Sequence, residues 1–306
     1  MEKGITVFGS YITDFMVRVK ALPLPGETIK GDFFKMSPGG KGFNQAVAAK
    51  RAGASVDMVT KLGKDQFSTL AFKNFKEENI ASDHIFEDDT EATGIALIMV
   101  SEDTGQNIIS VVPGACSHVT DEDIERAKDV IFKNEILLLQ LENNVDAIIK
   151  VIHLAHEKGI KIILNPAPVS ALPDDIYQKL YAITPNETEA EKLTGGKIET
   201  AEDLRNASGY FHKKGLKNVI ITLGEKGAYV STEGRQEFLK PISVDALDTT
   251  GAGDAFNGGF AAGLSQGKDI LQACKYAMVV AGLSVTKIGS SISMPTLKEI
   301  NTYLGI

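Results

Sequence analysis

The sequence predicts an α/β protein, a three-layer α/β/α sandwich with a mostly parallel central sheet and a small β-sheet lid. Two observations carry this prediction. Short apolar runs, each long enough for a strand buried on both faces, recur along the 306 residues. Longer amphipathic segments follow them, which is typical of β–α–β units with helices on both faces of one sheet.

The apolar runs define the predicted strands of the central sheet, and the segments between them define the helices. The strands are predicted at 5–9, 56–62, 136–141, 161–165, 181–184 and 218–223. The helices are predicted at 44–53, 66–79, 122–133, 144–158, 187–194, 200–214, 252–266, 270–287 and 295–304. The final third of the chain is therefore expected to be mainly helical.

Two segments, 11–37 and 91–113, interrupt this order with alternating apolar and polar residues and turn signals. We interpret them as hairpins whose four strands form a lid over the carboxyl ends of the central strands, where open α/β sheets bind ligands. An exposed apolar face on this lid would favour a homodimer. No linker-like segment divides the chain, so residues 1–306 are predicted to form a single domain.

The composition restricts the partners that the protein can have. A net charge of −8 without a basic stripe argues against nucleic acid and anionic membrane surfaces. The N-terminal sequence MEKGITVFGS lacks the pattern of a signal peptide, and no apolar run approaches membrane-spanning length. We therefore expect a cytoplasmic protein that binds any anionic ligand in a local site.

The glycine-rich stretch DTTGAGDAFNGG, residues 248–259, leads directly into an apolar helical pattern. A helix N-terminus exposes unpaired N–H groups and partial positive charge, and glycines let an anion come close to them. Gly251, Ala252 and Gly253 are therefore predicted to cradle a phosphate or a developing oxyanion. Asp254 is suited to accept a proton from an attacking hydroxyl, with a simple helix cap as the alternative interpretation.

A second glycine-rich stretch, SPGGKGFNQAVAAKRAGA at 37–54, also enters a helix, which is predicted to begin at about Asn44. Its glycines permit close approach, and Lys41 and Asn44 offer hydrogen-bond donors to hydroxyl groups, although a tight turn would need similar glycines. One loop suited to phosphate and one suited to a polyol point to phosphoryl transfer to a sugar. The Walker and protein-kinase motifs are absent, so another nucleotide-binding framework is needed, and the missing dinucleotide-binding fingerprint disfavours an oxidoreductase.

These motifs resemble the ribokinase-like PfkB family of carbohydrate kinases over essentially the whole chain. The segment DTTGAGDAFNGG (248–259) is highly specific where it follows GGKG (39–42) at this distance. The resemblance implies a ribokinase-like α/β fold and sugar kinase activity with ATP, Mg²⁺ and a monovalent cation, usually potassium. The matching segments are GSYITD (9–14), PGET (25–28), GGKGFNQAVAA (39–49), LQLE (139–142), NPAP (165–168), TPNETEAEKLTG (184–195), ITLGEKGAY (221–229) and DTTGAGDAFNGG (248–259).

The resemblance also implies a role for individual residues. Asp254 is expected to be the general base, beside an anion hole formed by Gly251, Ala252 and Gly253. The implied sugar-binding set is Ile12, Asp14, Gly40, Lys41, Asn44, Glu142 and Asp254. The implied nucleotide and magnesium set, in which the ion is contacted through water, is Asn186, Glu189, Thr222, Gly224, Gly227 and Gly253. The implied monovalent-cation set is Asp248, Thr250, Ser284, Lys287, Gly289 and Ser293. The structural alternatives are surface carboxylates at strand ends for Asp14 and Glu142, a solvated helix start for Asn186 and Glu189, and caps for Ser284 and Ser293.

Ile12 is a departure from the family pattern, in which an Asn lies two residues before the sugar-binding Asp. An unpaired sugar hydroxyl in a closed site costs roughly 1–3 kcal/mol. Ile12 therefore favours a sugar that lacks this hydroxyl, such as 2-deoxyribose, whereas the rest of the sugar set suits ribose equally well.

The predicted function is ATP-dependent phosphorylation of a pentose, ribose or 2-deoxyribose, at its terminal (5-) hydroxyl. The alternatives are a kinase for another furanose, a sugar phosphate or a nucleoside, and a non-catalytic sugar sensor with the same fold. The intact Asp254 and its glycine cradle favour an enzyme.

Overall fold

Two sheets organise the fold, which is taken from a computed structural model that describes residues 2–306. One sheet has nine strands and the other has four. The strands are β1 (Glu2–Phe8), β2 (Ile12–Val19), β3 (Gly31–Gly39), β4 (Ser55–Gly63), β5 (Ile85–Asp88), β6 (Thr93–Ser101), β7 (Asn107–Gly114), β8 (Asn134–Leu139), β9 (Lys161–Leu164), β10 (Ala182–Ile183), β11 (Val219–Thr222), β12 (Ala228–Thr232) and β13 (Arg235–Leu239). The helices are α1 (Lys41–Arg51), α2 (Gln66–Glu77), α3 (Asp121–Lys133), α4 (Val145–Glu157), α5 (Asp174–Tyr177), α6 (Glu187–Thr194), α7 (Ala201–Lys213), α8 (Ala252–Ser265), α9 (Ile270–Ser284) and α10 (Leu297–Leu304).

The large sheet has the strand order β13-β12-β11-β10-β9-β8-β1-β4-β5. All neighbouring pairs from β5 to β11 are parallel, and β12 and β13 add an antiparallel hairpin at one edge. The predicted mostly parallel central sheet is confirmed. The edge strands β5 and β13 and the neighbouring β12 were not predicted. All three are short, and β13 is mostly exposed and so lacks a buried apolar run.

The core lies on both faces of this sheet, because successive side chains of a strand point to opposite faces. Ile136 and Leu138 of β8 join one buried cluster, which includes residues of α1, α8 and α9. Leu137 and Leu139 join the other, which includes residues of α3, α4 and α7. The three layers of the sandwich follow from this alternation.

The four-stranded sheet has the order β3-β2-β6-β7 and is drawn from the two predicted hairpin segments. Its outer pairs are antiparallel, and β2 and β6 are parallel in the middle. Because β2 follows the carboxyl end of β1 after a short turn, this sheet is attached at the carboxyl ends of the central strands. The predicted β-sheet lid is confirmed.

Two helices begin differently from most others. Six helices begin with a capping box, in which a polar N-cap side chain accepts a backbone N–H and is bonded in return. Both α1 and α8 begin instead at a glycine, Gly40 and Gly251, without any side-chain cap. Their first N–H groups are therefore left to other partners.

The predicted start of α1 at about Asn44 is wrong by three residues, since the helix begins at Lys41. Gly40 has a φ of 84°, a left-handed conformation that glycine adopts at little cost. This residue turns the chain from β3 directly into α1, and the N–H of Asn44 already bonds the Gly40 carbonyl at 2.9 Å. Within residues 2–306, no helix combines the length and apolarity needed to cross a bilayer.

Candidate active site

A cavity of about 170 Å³ opens at the carboxyl edge of the large sheet. It is bordered by the ends of β9, β10 and β11, by the first turn of α8 and by the start of α1. The two glycine-rich stretches, which are about 200 residues apart in the sequence, therefore meet at one site. The lining residues are Lys41, Asn165, Thr184, Asn186, Glu189, Thr222, Thr249, Gly251, Ala252, Gly253, Asp254 and Asn257.

The first turn of α8 presents backbone donors to this cavity. Gly251 has a φ of 77°, and a Cβ there would lie 3.2 Å from the Cα of Ser290. The Ala252 N–H donates to the Thr249 carbonyl at 3.2 Å, so it is partly engaged. Within the described chain the N–H groups of Gly253 and Asp254 have no protein acceptor. Two free donors at the positive end of the helix form a place for an anion.

Asp254 is buried and is held by the neighbouring helix α1. Its Oδ2 accepts a hydrogen bond from Asn44 Nδ2 at 2.9 Å, and its Oδ1 accepts one from Gln45 Nε2 at 3.0 Å. These partners lie on α1, and the N-cap position of α8 is a glycine, so this carboxylate does not cap its own helix. Asp254 is oriented as an acceptor beside the GGKG loop.

Close contact between α1 and α8 makes this arrangement possible. A Cβ at Gly258 would lie 2.5 Å from both the Ala48 Cβ and the Gln45 carbonyl oxygen. Only glycine lets the two helices approach this closely. Since Asp254 lies one turn before Gly258 on α8, the approach brings its carboxylate to the first turns of α1.

The lid contributes a second carboxylate to the site. The side chain of Asp14 of β2 packs over Gly39 of β3, where a Cβ would be 2.2 Å from Asp14 Oδ2. A third carboxylate, Glu142, follows β8 and accepts hydrogen bonds from the Ser10 hydroxyl and, at 2.8 Å, from the Lys41 N–H. Three acids from three elements therefore surround the start of α1.

Burial and mutual repulsion shift the pKa values of these groups. Burial, with the added negative charges of Glu142 and Asp254, raises the pKa of Asp14 to about 7. Burial also raises the pKa of Glu142. The Asp254 carboxylate, with help from Glu142, raises the pKa of the Lys41 ammonium although burial opposes it. Lys41 is thus the positive charge among the acids.

Ile12 lies on the same face of β2 as Asp14, because the two are separated by one residue. In the lid its neighbours on both sides are glycines, Gly39 on β3 and Gly94 on β6. A Cβ at Gly94 would lie 2.5 Å from Ile12 Cδ1. The branched side chain fills the space beside Gly94, and Ile12 is 2% exposed.

The residues expected to contact the nucleotide fall into two groups. Asn186, Glu189 and Thr222 line the cavity, and Asn186 pairs with Thr222 in an isolated parallel bridge. Gly224 and Gly227 do not line it, but form the turn after β11, in which the Leu223 N–H donates to the Gly227 carbonyl at 2.8 Å.

Asn186 and Glu189 form the capping box of α6. The Glu189 Oε1 and Oε2 atoms accept hydrogen bonds from Asn186 at 3.0 and 2.9 Å. Burial raises the pKa of Glu189. A carboxylate keeps further lone pairs, so this pair also suits a hydrated Mg²⁺.

The residues expected to bind a monovalent cation come together behind the first turn of α8. Asp248 accepts the Thr250 N–H on Oδ1 and the Gly289 N–H on Oδ2, each at 2.9 Å. Ser293 donates its hydroxyl to the Ser290 carbonyl at 2.8 Å, and the Lys287 N–H contacts the Ser284 carbonyl at 3.3 Å. Carboxylate, hydroxyl and carbonyl oxygens concentrated in two adjacent loops are ligands suited to a hard cation. The Lys287 side chain itself pairs with Glu299.

Sequence reasoning missed several polar residues of the site. Gln45 contacts Asp254, and Asn257 donates from Nδ2 to the Gly253 carbonyl at 2.8 Å while accepting from the Thr184 hydroxyl at 2.5 Å. Asn165 accepts from Gln45 at 3.0 Å. Asn165 and Thr184 directly follow β9 and β10. A polar residue at the carboxyl end of a buried parallel strand was the signal that could have identified both.

Asp14→Asn is expected to stabilise the protein more at pH 8 than at pH 5. The folded-state pKa of Asp14 is raised from 3.8 to about 7, so between these values the folded state binds more protons than the unfolded state. The contribution of Asp14 to the free energy of unfolding therefore falls as pH rises between these two pKa values. The Asn variant has no titrating group at this position and does not lose this stability. We expect its gain in Tm to be at least about 3 °C larger at pH 8.

Asp103→Asn is the matched control, because Asp103 is an exposed carboxylate of the same sheet's β6–β7 turn. Its change in Tm should be small and equal at both pH values. An equal change in Tm for Asp14→Asn at the two values would contradict the burial of a titrating Asp14.

Comparison with known proteins agrees with this geometry. The model of the "pfkB family carbohydrate kinase" matches residues 2–297. The chain is 38% identical to a ribokinase of Haemophilus influenzae over 304 residues and 36% identical to a deoxyribokinase of Salmonella typhi over 303, covering 99% of each chain. The structure of Arabidopsis thaliana ribokinase complexed with ribose and ATP matches 100% of both chains with a TM-score of 0.91 and 31% identity. This chain belongs to the PfkB family of carbohydrate kinases.

Proposed function

We propose that this protein is an ATP-dependent kinase that phosphorylates the terminal (5-) hydroxyl of a pentose. Membership of the family makes it a phosphotransferase acting on an alcohol. The observation that carries the proposal is the position of Asp254, fixed in the cavity between the free N–H groups of α8 and the GGKG loop. A base on one side and anion donors on the other are what transfer between a hydroxyl and a phosphate requires.

The proposed mechanism assigns one task to each side of the cavity. Asp254 accepts the proton of the attacking hydroxyl on a carboxylate that Asn44 and Gln45 already hold in place. The N–H groups of the first turn of α8 receive the transferring phosphoryl, whose negative charge the Lys41 ammonium also balances. Most of the catalysis then comes from positioning and electrostatics.

The acids on the other side of Lys41 suit a polyol. Asp14 and Glu142 are placed to accept hydrogen bonds from sugar hydroxyls, since carboxylates are acceptors. The buried Oδ1 of Asn44 has no partner within residues 2–306 and offers one more acceptor. The lid lies at the same edge, so its closure would exclude water, which otherwise competes as a phosphoryl acceptor.

ATP is the proposed phosphoryl donor, with Mg²⁺ near Asn186 and Glu189. Within the described residues no cluster of three or more His, Cys, Asp or Glu side chains could hold a metal directly. Mg²⁺ gives up its water ligands reluctantly, so we propose that Asn186 and Glu189 contact it through water. When bound, the ion neutralises phosphate charge.

We propose that a monovalent cation, usually potassium in this family, binds between two loops. One loop contains Asp248, and the other contains Gly289 and Ser293. The cradle and this site are adjacent, since Gly251 packs against Ser290. Oxygen donors at this position would keep the first turn of α8 in its anion-binding conformation.

Whole-chain similarity does not choose between ribose and 2-deoxyribose, because relatives named for each sugar are 38% and 36% identical to this chain. Ile12 supports 2-deoxyribose. It faces the same side of the lid as Asp14 and offers no hydrogen bond to a hydroxyl.

Ile12→Asn is therefore expected to raise the ratio of kcat/KM for ribose to kcat/KM for 2-deoxyribose about 5- to 100-fold. This range corresponds to the free-energy difference between a sugar hydroxyl that is hydrogen-bonded and one that is left unpaired. Steady-state assays with both sugars measure this ratio. Ile12→Val, which keeps an apolar branched side chain, should leave it near the wild-type value. A wild type that strongly prefers ribose would contradict the inference.

The test of the function is a coupled ADP-release assay across ribose, 2-deoxyribose, fructose, fructose phosphates and nucleosides, run with and without Mg²⁺ and in K⁺ or Na⁺. We expect highest kcat/KM for a pentose, dependence on Mg²⁺ and stimulation by K⁺. Highest activity with a nucleoside or a sugar phosphate would replace the proposal, and no turnover of any acceptor would support a non-catalytic sensor. Arg18 already pairs with Asp32 at 2.9 Å, which disfavours a phosphate acceptor at the lid.

A homodimer through the lid is also proposed. Five apolar side chains lie on the lid face opposite Asp14, by the alternation of paired residues. Each of these residues is at least 44% exposed, which is a large apolar surface to leave in water. Sedimentation velocity should show a dimer that Leu97→Lys dissociates, and a wild-type monomer would contradict it. The five are Phe34, Met36, Leu97, Ile108 and Val112.

A further inference from the structure

A chain of buried amides leads from the end of β8 to Asp254. Gln140 Nε2 donates to Gln45 Oε1 at 2.6 Å. Gln45 Nε2 donates to Asp254 Oδ1 at 3.0 Å and to Asn165 Oδ1, also at 3.0 Å. Gln45 and Gln140 are fully buried, and neither lines the cavity. Gln45 therefore contacts Asp254 directly, and Gln140 through Gln45, from outside the cavity in which we propose that the ligands bind.

The direction of this chain is fixed by its ends. An ionised carboxylate only accepts hydrogen bonds, so Gln45 must turn its nitrogen toward Asp254. Its oxygen then faces Gln140, which must present its own nitrogen. Asn165 is held with its oxygen toward Gln45, since its Nδ2 donates to the Thr184 carbonyl at 3.2 Å. Rotation of the Gln45 or Asn165 amide would break at least two hydrogen bonds, and rotation of the Gln140 amide would break its bond to Gln45.

We propose that Gln45, held by Gln140, is a positioning residue that fixes the Asp254 carboxylate and keeps its Oδ1 as an acceptor, an inference that rests on the proposed kinase function. Oδ1 accepts the N–H of Gln45 and Oδ2 that of Asn44, so each oxygen keeps a further lone pair that can accept the sugar proton. Gln45 thereby orients the base without touching either ligand.

The first test is the single-turnover rate of phosphoryl transfer in Gln45→Met, Gln140→Met and the double variant. Misplacement of a base by about 1 Å can cost about 100-fold, so we expect Gln45→Met to lower this rate about 10- to 100-fold with little change in KM for ATP. Gln140→Met should have a smaller effect in the same direction. The double variant should resemble Gln45→Met alone, because Gln140 acts through Gln45.

Asn134→Leu is the matched control for the loss of a buried amide. Asn134 is buried and donates from Nδ2 to a carboxylate, Asp57, and to the Thr6 hydroxyl, each at 2.9 Å. It lies at the amino end of β8, at the opposite edge of the sheet from the cavity. We expect this variant to lose stability while its transfer rate stays near that of the wild type.

Gln45→Glu provides a second test that a purely structural role would not affect. It keeps the shape of the side chain but places a second carboxyl group about 3 Å from Asp254, where two carboxylates cannot both be ionised without cost. We expect the acidic limb of the single-turnover pH profile to move up by about one pH unit or more. This isosteric variant also serves if Gln45→Met fails to fold.

The outcomes separate this inference from the function on which it rests. An inactive wild type with every pentose would count against the kinase proposal. An active wild type, with a Gln45→Met rate within threefold of it or an unchanged Gln45→Glu pH profile, would overturn the positioning role of Gln45.

Discussion

Asp254→Asn is expected to lower the rate of phosphoryl transfer by about 10²- to 10⁴-fold, the usual contribution of a general base, while ATP binding is retained. The amide cannot accept the sugar proton at neutral pH. It also faces two N–H donors, from Asn44 and Gln45, with only one oxygen, so some loss of stability is expected. Single-turnover rates and calorimetric titration with ATP measure the two effects separately.

The same substitution tests the cap alternative, because Asn and Asp cap helices about equally well. Asp269→Asn is the matched control, since Asp269 is the N-cap of α9 and its side chain accepts the Gln272 N–H at 2.8 Å. We expect this control to keep full activity. If Asp254→Asn also kept near wild-type turnover, Asp254 would not be the base.

Gly253→Ala should remove most activity without lowering stability. Gly253 has no positive φ, and apart from its own turn of helix a Cβ there would meet no protein atom within 4 Å. Alanine is the better helix former, so the protein itself gains nothing from glycine at this position. The added methyl group would instead enter the space beside the free N–H groups of α8. We expect kcat/KM for ATP to fall about 100-fold or more, as when a donor to the transition state is lost.

Gly209→Ala is the control for this effect. Gly209 lies within α7, away from the cavity, and a Cβ there likewise meets no protein atom within 4 Å. Both variants should have a Tm equal to or up to about 3 °C above that of the wild type, since each replaces glycine in a helix. Only Gly253→Ala should lose activity. Full activity of Gly253→Ala would mean that no ligand approaches the first turn of α8 closely.

The parts of the fold that the sequence predicts are those with a local signal. The apolar runs at β1, β8 and β11 mark strands buried on both faces, and that pattern is visible in single segments. The hairpin of β12 and β13 was not predicted, because its edge strand β13 exposes polar residues such as Arg235 and Gln236. Its place depends on pairing with β11, which no local pattern records.

The start of α1 shows a second limit. GGKG was interpreted as a loop before the helix, whereas the left-handed Gly40 lets the helix begin at the next residue. Glycine in a sequence signals conformational freedom without stating which conformation is used.

The same distinction between local and long-range signals applies to the site. Asp254 and the glycine cradle were predicted, because consecutive residues form the N-terminus of one helix and its chemistry can be inferred from them. Gln45 and Gln140 were not, because their roles arise from contacts across 209 and 95 residues. A buried glutamine in a helix gives no sign in the sequence of which carboxylate it will meet.

The central claim is that the attacking hydroxyl and the transferring phosphate meet between Asp254 and the first turn of α8. A crystal structure with a pentose and a non-hydrolysable ATP analogue tests this claim most directly. We expect the terminal hydroxyl oxygen about 2.6–3.2 Å from Asp254 and the terminal phosphate at the N–H groups of α8. A sugar bound with its terminal hydroxyl away from Asp254, or a phosphate away from that turn, would contradict the account.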